Sequence, residues 1–519
     1  MQSLFVADKQ EFQRTLGDIM SKDPESFGYL LRFCCGDNEA CTSVILKAFQ
    51  EKCLEDLSGS SDKLAVHCYF EGQSQHLPAE GLIHSIFTED YIYIANGDYL
   101  NSITYFLKHV VSQTADRGNA YLVNVKEMDV SDCDLGLCGE DLAYSMKGMT
   151  NLHSLLLCNC LMSSEIVKHI ADSLRDLPNM VELGLPCNSH LGGTASSWSK
   201  HLTQLQHLQK LNLIGCELIG QDVAHIAQSL RDLPNLVKLD LSGSSNLGGT
   251  GRVWTMQLKL LQHLKILGLS DCTLTGQDVA HIAESFRDLP HLVQLDLSGN
   301  EDLGGAGVVW AMHLKQLQHL EKLGLGNCSL IPEDIKHIAE SLPNLVDLDL
   351  SCNDDLAGAA AWSLHLKQLQ HLQKLNLSTC ELVEQNIKDV AKSLSDLPKL
   401  IELDLSGNEE LGGSAALWVV HFTQLQYLQK LNLSNCSLIV EDVTHIAQSL
   451  KEQPNLVELN LAENDAMAGT ASSWSVNLKH LTHLEKLYLG ASSLTEEDRE
   501  CISESVNNLS EDSLVIEYI

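Results

Sequence analysis

Residues 208–216 read LQKLNLIGC, and residues 292–300 read LVQLDLSGN. Both stretches carry leucine at the first, fourth and sixth positions and end three residues later in a cysteine or an asparagine. The last two leucines alternate with polar residues, and this period of two is typical of a half-buried strand. Each stretch therefore predicts one short strand whose leucines point into a core.

The two stretches belong to two interleaved series whose central leucines follow one another every 25 to 28 residues. A degenerate copy precedes them at Val125, Met128, Val130 and Cys133, and an incomplete copy, SLVIEYI, ends the chain. This periodic pattern resembles the leucine-rich repeat. The central leucines are Leu155, Leu211, Leu267, Leu323, Leu375, Leu431 and Leu487 in one series and Leu183, Leu239, Leu295, Leu348, Leu403 and Leu459 in the other.

The segments between the strands have the spacing of amphipathic helices. Val223, Ile226, Ala227 and Leu230 fall at i, i+3, i+4 and i+7. Parallel strands lie ~4.8 Å apart whereas packed helices need ~10 Å, so a stack of such units bends with its strands on the concave side. The sequence predicts an α/β leucine-rich-repeat horseshoe of about 14 repeats over residues 119–519.

The two repeat types differ at the position that ends the strand. We interpret the cysteines and asparagines there, and the six tryptophans, as buried structural residues. The alternation of cysteine and asparagine resembles the ribonuclease-inhibitor-like subclass of leucine-rich repeats. The residues concerned are Cys133, Cys160, Cys216, Cys272, Cys328, Cys380 and Cys436; Asn188, Asn300, Asn353, Asn408 and Asn464, with Ser244 as an exception; and Trp198, Trp254, Trp310, Trp362, Trp418 and Trp474.

Residues 1–118 lack the repeat and are predicted to form a small all-α domain, with helices near 8–21, 25–34, 38–56, 62–71 and 98–113. Two stretches, GYLLRFCCGDN and LAVHCYFEGQ, resemble the helical segment that precedes the repeats in NOD-like receptors. The resemblance implies the C-terminal half of such a receptor, a ligand-sensing or autoinhibitory module of innate immunity. The matching residues are Leu31, Phe33, Gly36, Phe70, Glu71 and Gln73.

The family binds nucleotide through a glycine-rich loop that ends in Lys followed by Ser or Thr. No Gly-Lys dipeptide occurs in the chain, so we expect the nucleotide-binding module to be absent and the chain to be part of a longer receptor or a reduced form of one. Neither a cofactor nor nucleotide hydrolysis is expected from it.

The composition of the chain argues against several classes of function. The chain has 34 Lys and Arg against 69 Asp and Glu, a net charge of −35, which argues against binding to nucleic acid or to an anionic membrane. Seventeen cysteines without a secretory signal favour reduced thiols and a cytoplasmic location.

The histidines recur on every second repeat, without zinc spacing, and no nucleophile stands beside a base. We therefore expect neither a metal site nor an enzyme, and we interpret Cys34, Cys35, Cys41 and Cys53 as packed thiols.

The predicted concave face carries rows of outward residues. One row alternates in charge from Asp347 to Lys486, as a self-neutralising ladder would, and the next row contains Asp349, Asp404 and Tyr488. Tyr488 is the one aromatic residue in these rows. We expect a protein or peptide partner at the C-terminal end of this face, where Asp349 and Asp404 would attract a basic one. The candidate partner-binding residues are Asp349, Asp404, Lys430, Asn432, Lys486 and Tyr488.

Two alternatives to a receptor half remain open. A stoichiometric enzyme inhibitor of the ribonuclease-inhibitor type would use the strong negative charge to attract a basic enzyme. A scaffold or a GTPase-activating protein of the same repeat class is the other. The shortage of aromatic and arginine anchors in the rows weighs against a very tight inhibitor.

Overall fold

A computed structural model describes residues 2–36, 38–53, 60–73, 80, 82–83, 90–95, 97–114, 121–286, 289–317, 319–358, 360–451, 453, 455–481, 483–490, 494–506 and 515–517. The chain forms two compact units, Met1–Leu241 and Ser242–Ile519. In both units, every strand pair with a described register is parallel. Helices alternate with the strands along the chain, as in a leucine-rich-repeat solenoid.

The first unit begins with helices and continues as repeats. Strands β1 to β6 pair in chain order. Its elements are α1 Gln2–Ala7, α2 Lys9–Lys22, α3 Gly28–Gly36, α4 Glu39–Cys53, α5 Ser60–Glu71, β1 Tyr91–Ile94, α6 Gly97–Thr114, β2 Glu127–Ser131, α7 Gly139–Met146, β3 Ser154–Cys158, α8 Ser164–Ser173, β4 Glu182–Gly184, α9 Ala195–Trp198, β5 Lys210–Asn212, α10 Gly220–Leu230 and β6 Lys238–Asp240.

The second unit consists of repeats. Its strands β7 to β16 also pair in chain order. Its elements are α11 Gly251–Leu258, β7 Ile266–Gly268, α12 Gly276–Phe286, β8 Gln294–Asp296, α13 Gly307–Leu314, β9 Lys322–Gly324, α14 Pro332–Ser341, β10 Asp347–Asp349, α15 Ser363–Leu366, β11 Lys374–Asn376, α16 Glu384–Leu394, β12 Glu402–Asp404, α17 Ala415–Phe422, β13 Lys430–Asn432, α18 Val440–Leu450, β14 Glu458–Asn460, α19 Ala471–Trp474, β15 Lys486–Tyr488, α20 Glu496–Val506 and β16 Val515–Glu517.

The five helices predicted in the N-terminal segment correspond to α2 to α6, although residues 54–56 of the third lie outside the described residues. One element differs from the all-α expectation. The sequence YIYI at 91–94 forms β1, because alternation buries Ile92 and Ile94 against the core and pairs the strand with β2. The predicted domain boundary near residue 118 stays a prediction.

The segment that contains the two receptor-like sequence stretches forms a cluster of packed helices. Leu31 is buried, and Arg32 of α3 forms an ion pair with Glu71 of α5 at 2.8 Å. Gln73 donates a side-chain hydrogen bond to the carbonyl of Phe70 at 2.8 Å, which closes the end of α5. Cys34, Cys35 and Cys41 are buried, as predicted for packed thiols, and the side chain of Cys53 lies outside the described residues.

The predicted core is confirmed at each central leucine, which is at most 2% exposed, and at the six tryptophans, which are at most 1% exposed. In-register pairing places the central leucines of neighbouring repeats side by side, for example Leu403 with Leu431. The incomplete last copy adds a strand as well, because Ile516 pairs with Leu487.

The cysteines and asparagines that end the strands form a hydrogen-bonded ladder. The amide of Asn464 accepts from the backbone N–H groups of Cys436 and Leu438, and it donates to the carbonyls of Leu433 and Leu461. The thiol of Cys436 donates to the carbonyl of Leu405 at 3.2 Å. These side chains satisfy buried backbone groups of the turns, so their role is structural.

Candidate functional site

The exposed sheet face of the second unit carries the predicted ladder of alternating charges. Lysines and carboxylates lie in register on neighbouring strands from Lys322 to Lys486. Three of these lysines form an ion pair with the acidic residue on the strand that follows. The pairs are Lys322 with Asp347 at 3.5 Å, Lys374 with Glu402 at 2.6 Å and Lys430 with Glu458 at 3.2 Å.

Lys430 lies between Glu402 and Glu458 of the two neighbouring strands. Its hydrogen bond to Glu458 raises the pKa of its ammonium group, and Glu402 and Tyr488 contribute in the same direction. Tyr488 lies on β15, two strands away from Lys430. The ammonium group stays charged at neutral pH and partly neutralises the surrounding carboxylates.

The second row of polar residues shapes the turns that follow the strands. Asp349 accepts a hydrogen bond from the backbone N–H of Ser351 at 2.9 Å. Asp404 accepts from the backbone and the hydroxyl of Ser406 and, through its other oxygen, from the side-chain amide of Asn432 at 2.8 Å. These bonds fix the carboxylates in place while leaving them half-exposed, so their charge still faces the solvent.

A shallow depression of about 300 Å³ lies on this face over strands β10 to β14. Of the six predicted partner-binding residues, Asp404, Lys430 and Asn432 line it, whereas Asp349, Lys486 and Tyr488 lie outside its lining. Lys486 faces Glu458 on one side and Val515 on the other. Within the described residues Lys486 has no ion pair at 4.0 Å or less, and Glu458 is bonded to Lys430 instead.

Two exposed aromatic residues of the first unit lie outside the repeat pattern. Tyr91 and Tyr93 lie on the exposed face of β1, a strand that the rows containing Tyr488 do not include. The alternation in YIYI is the signal that could have identified them, because it has the period of a half-buried strand. They fall outside the leucine pattern that defined the rows.

A second surface that the sequence did not reveal is a groove of about 800 Å³ in the second unit. It lies where the chain enters the strands, and half-exposed valines form part of its wall. Its rim is polar and nearly balanced in charge. The lining includes Lys265, His291, Val293, His319, Glu321 and Val346.

The thiols have the properties of packed side chains. Burial raises the pKa of Cys216, Cys328, Cys380 and Cys436 to about 12 each, so these thiols stay protonated and are poor nucleophiles. In the part of the chain that the structure describes, no group of three or more histidine, cysteine or acidic side chains could hold a metal ion. No described helix is both long and apolar enough to cross a membrane.

Comparisons with known proteins agree with this architecture. The family model described as "Leucine Rich repeat" matches residues 288–309. Ribonuclease inhibitor of Sus scrofa is 32% identical over 325 residues, which are 59% of this chain and 69% of that protein. The chain belongs to the ribonuclease-inhibitor-like leucine-rich-repeat family. NOD-like receptors share these repeats and are also among its relatives.

Two receptor relatives show how much of a longer protein this family member spans. The NACHT, LRR and PYD domains-containing protein 12 of Homo sapiens is 31% identical over 63% of this chain but only 32% of its own length. The NACHT, LRR and PYD domains-containing protein 3 of Rattus norvegicus is 31% identical over 58% of this chain and 30% of its own length. The chain thus spans about a third of these receptors, in a leucine-rich-repeat fold typical of protein interaction.

Proposed function

We propose that the chain is a non-enzymatic, cytoplasmic protein-interaction module, the ligand-sensing or autoinhibitory half of a NOD-like receptor. The partner binds the exposed sheet face of the second unit, around Lys430, Asn432, Lys486 and Tyr488, and Asp349 and Asp404 add long-range attraction for a basic partner. The observation that carries the proposal is the depression over β10 to β14, where a fixed carboxylate, a lysine and an amide come together beside the strand that bears Tyr488.

The chemistry of this face favours a docking contact of moderate affinity. Lys374 and Lys430 are already paired with carboxylates, so a partner gains little from these two lysines unless it breaks exposed ion pairs worth ~0–1 kcal/mol each. Tyr488 is half-buried and offers contact area and a hydroxyl at low entropic cost. Such a face suits a domain that docks and is released, as a sensing or autoinhibitory module requires.

The binding test uses the whole chain and the recombinant NACHT module of the human receptor relative. Wild-type protein should bind it, and Tyr488→Ala should weaken binding by about fivefold or more, which corresponds to about 1 kcal/mol. Asp349→Asn with Asp404→Asn should lower the association rate and its dependence on salt. Tyr427→Ala is the matched control, because Tyr427 is a tyrosine 59% exposed in the same unit and outside the proposed site. Absent binding, or unchanged affinity with lowered thermal stability in Tyr488→Ala, contradicts the proposal.

A ribonuclease inhibitor remains the second candidate, because the chain is similar over 69% of the length of the porcine protein and has a net charge of −35. A stoichiometric inhibitor would abolish the activity of a basic pancreatic-type ribonuclease at an equimolar ratio. We expect no inhibition at a tenfold molar excess of the chain over the enzyme. Equimolar inhibition that Tyr488→Ala weakens would favour the inhibitor over the receptor half.

A further inference from the structure

Two tyrosine rings of the first unit lie side by side on the exposed face of β1. Tyr91 and Tyr93 are 41% and 53% exposed, their ring centroids lie 6.3 Å apart, and the ring planes differ by 9°. The isoleucines that alternate with them, Ile92 and Ile94, fill the core side of the same strand. Core packing therefore accounts for the isoleucines but not for the tyrosines, which present their rings on the exposed face.

Carboxylates flank these rings on the neighbouring strand. Tyr91 lies opposite Glu127 and Tyr93 lies opposite Asp129, at the spacing of adjacent parallel strands, ~4.8 Å. Glu127 is exposed, and Asp129 is half-exposed and accepts a hydrogen bond from the hydroxyl of Ser131 at 2.7 Å. Burial raises the pKa of the Tyr91 hydroxyl, and Asp129 and Glu127 contribute in the same direction.

The lysine next to these carboxylates in the chain already has an ion-pair partner. Lys126, which precedes β2, forms an ion pair with Asp90 at 3.0 Å. In the described part of the chain the cation–π contacts are at other rings, namely Phe5, Tyr99 and Tyr144, and no cationic side chain lies over Tyr91 or Tyr93. Among the described residues, the patch thus combines exposed aromatic rings with two carboxylates that form no ion pair.

A cationic group fits both features at once. The face of an aromatic ring attracts cations, and a carboxylate beside it adds a charge-assisted hydrogen bond. A guanidinium group matches better than an ammonium group, because its plane stacks on the ring while its N–H fork reaches a carboxylate. Phosphate groups would be repelled by Glu127 and Asp129, so nucleic acid does not fit.

We propose that Tyr91, Tyr93, Glu127 and Asp129 form a second binding surface, which holds an arginine side chain of an extended segment of a partner protein. The charge complementarity of the two carboxylates and the open stacking surface of the two rings determine this choice. The surface lies on the first unit and shares no residue with the site proposed around Lys430 and Tyr488. Its test is therefore independent of the receptor-half proposal.

The test measures binding of the peptide acetyl-Gly-Arg-Gly-Arg-Gly-amide to the full chain by isothermal titration calorimetry at low salt. A peptide with citrulline in place of arginine keeps the shape but removes the charge, and it should bind at least tenfold more weakly. Tyr91→Ala with Tyr93→Ala should weaken binding of the arginine peptide at least tenfold. Glu127→Gln with Asp129→Asn should weaken it and reduce its dependence on salt. Tyr427→Ala should leave the affinity unchanged.

Several results would overturn the proposal. They are the absence of binding to wild-type protein at millimolar peptide, equal binding of the citrulline peptide, and unchanged affinity in a tyrosine double variant that melts as wild-type protein does. If the tyrosine variant fails to fold, the Glu127→Gln, Asp129→Asn variant decides, because it changes exposed charges and keeps both rings. Unchanged affinity and salt dependence in that variant then refute the proposal.

Discussion

The buried carboxylate of Asp278 accepts a hydrogen bond from the backbone N–H of Gly251 at 2.9 Å. It also accepts from Gly249 at 2.8 Å and from the backbone and hydroxyl of Thr275. One side chain thus caps its own helix, α12, and holds the beginning of helix α11 in the preceding repeat. Other repeats of the second unit share this arrangement, which is formed by Asp334, Asp442 and Asp498.

These caps predict a loss of stability in acid. Burial by itself raises the pKa of Asp278, but the hydrogen bonds from Thr275, Gly249 and Gly251 outweigh burial and lower it below its ordinary value. Asp498 shows the same balance. A carboxyl whose pKa is lower in the folded state contributes stability that is complete above the unfolded pKa, about 4, and is lost as pH falls through the folded pKa. We expect the urea midpoint to fall below about pH 4.

The variant Asp278→Asn tests this origin. Its amide would present N–H groups to the N–H groups of Gly249 or Gly251, and leaving one unsatisfied should cost about 1–3 kcal/mol at pH 7. The dependence of the urea midpoint on pH between 6 and 3 should become weaker. Asn386 offers a natural comparison, because its amide nitrogen donates to the carbonyl of Ala357 instead. An unchanged pH dependence would show that Asp278 does not contribute.

The asparagine ladder gives a second prediction. Asn408 accepts from the backbone N–H groups of Cys380 and Leu382, both at 3.0 Å, and donates to the carbonyls of Leu377 and Leu405. Asn408→Ala should lower the free energy of unfolding by about 3 kcal/mol, since at least two buried groups lose a partner at about 1–3 kcal/mol each. Urea denaturation measures the loss. A loss below about 1 kcal/mol would mean that water replaces the amide.

Two leucines of the second unit differ in burial, and replacing each of them tests whether the repeat leucines form the core. Leu323 of β9 is 2% exposed, whereas Leu364 of α15 is 55% exposed in the same unit. Leu323→Ala should cost about 2–5 kcal/mol, because it leaves a cavity between strands and helices. Leu364→Ala should change stability by less than about 0.5 kcal/mol. Similar urea midpoints for the two variants would contradict the assignment of the repeat leucines to the core.

Much of the fold follows from the sequence, because a regular spacing makes neighbouring strands pair in register. The opposition of Glu402 and Lys430 is a consequence of that register. The preference of Lys374 for Glu402 at 2.6 Å depends on side-chain rotamers, which spacing does not determine. The hydrogen bond between the side chains of Asp404 and Asn432 at 2.8 Å also depends on side-chain rotamers.

The strand β1 could be predicted from its alternation but not from the repeat. Its core positions are Ile92 and Ile94, where most of the other strands have leucine. The repeat pattern therefore begins one strand after the sheet does. For the same reason the aromatic surface of Tyr91 and Tyr93 is found only when the pairing of β1 with β2 is known.

The last prediction concerns the order in which the thiols react. Cys187 and Cys352 are exposed, whereas Cys216, Cys380 and Cys436 are buried, and burial raises the pKa of these three to about 12. Alkylation requires the thiolate, so both protonation and lack of access protect the buried group. Brief treatment of the native protein with iodoacetamide at pH 8 should label Cys187 and Cys352, as measured by peptide mass spectrometry.

The buried thiols should react only after the chain unfolds. Labelling in increasing urea should therefore modify Cys380 and Cys436 along the same transition that circular dichroism records for the loss of helix. Cys352 provides the internal control, since it lies one residue before Asn353 in the same ladder and should be labelled at every urea concentration. Rapid native labelling of Cys436 would show that its repeat opens in water, because its thiol is then both accessible and free to ionise.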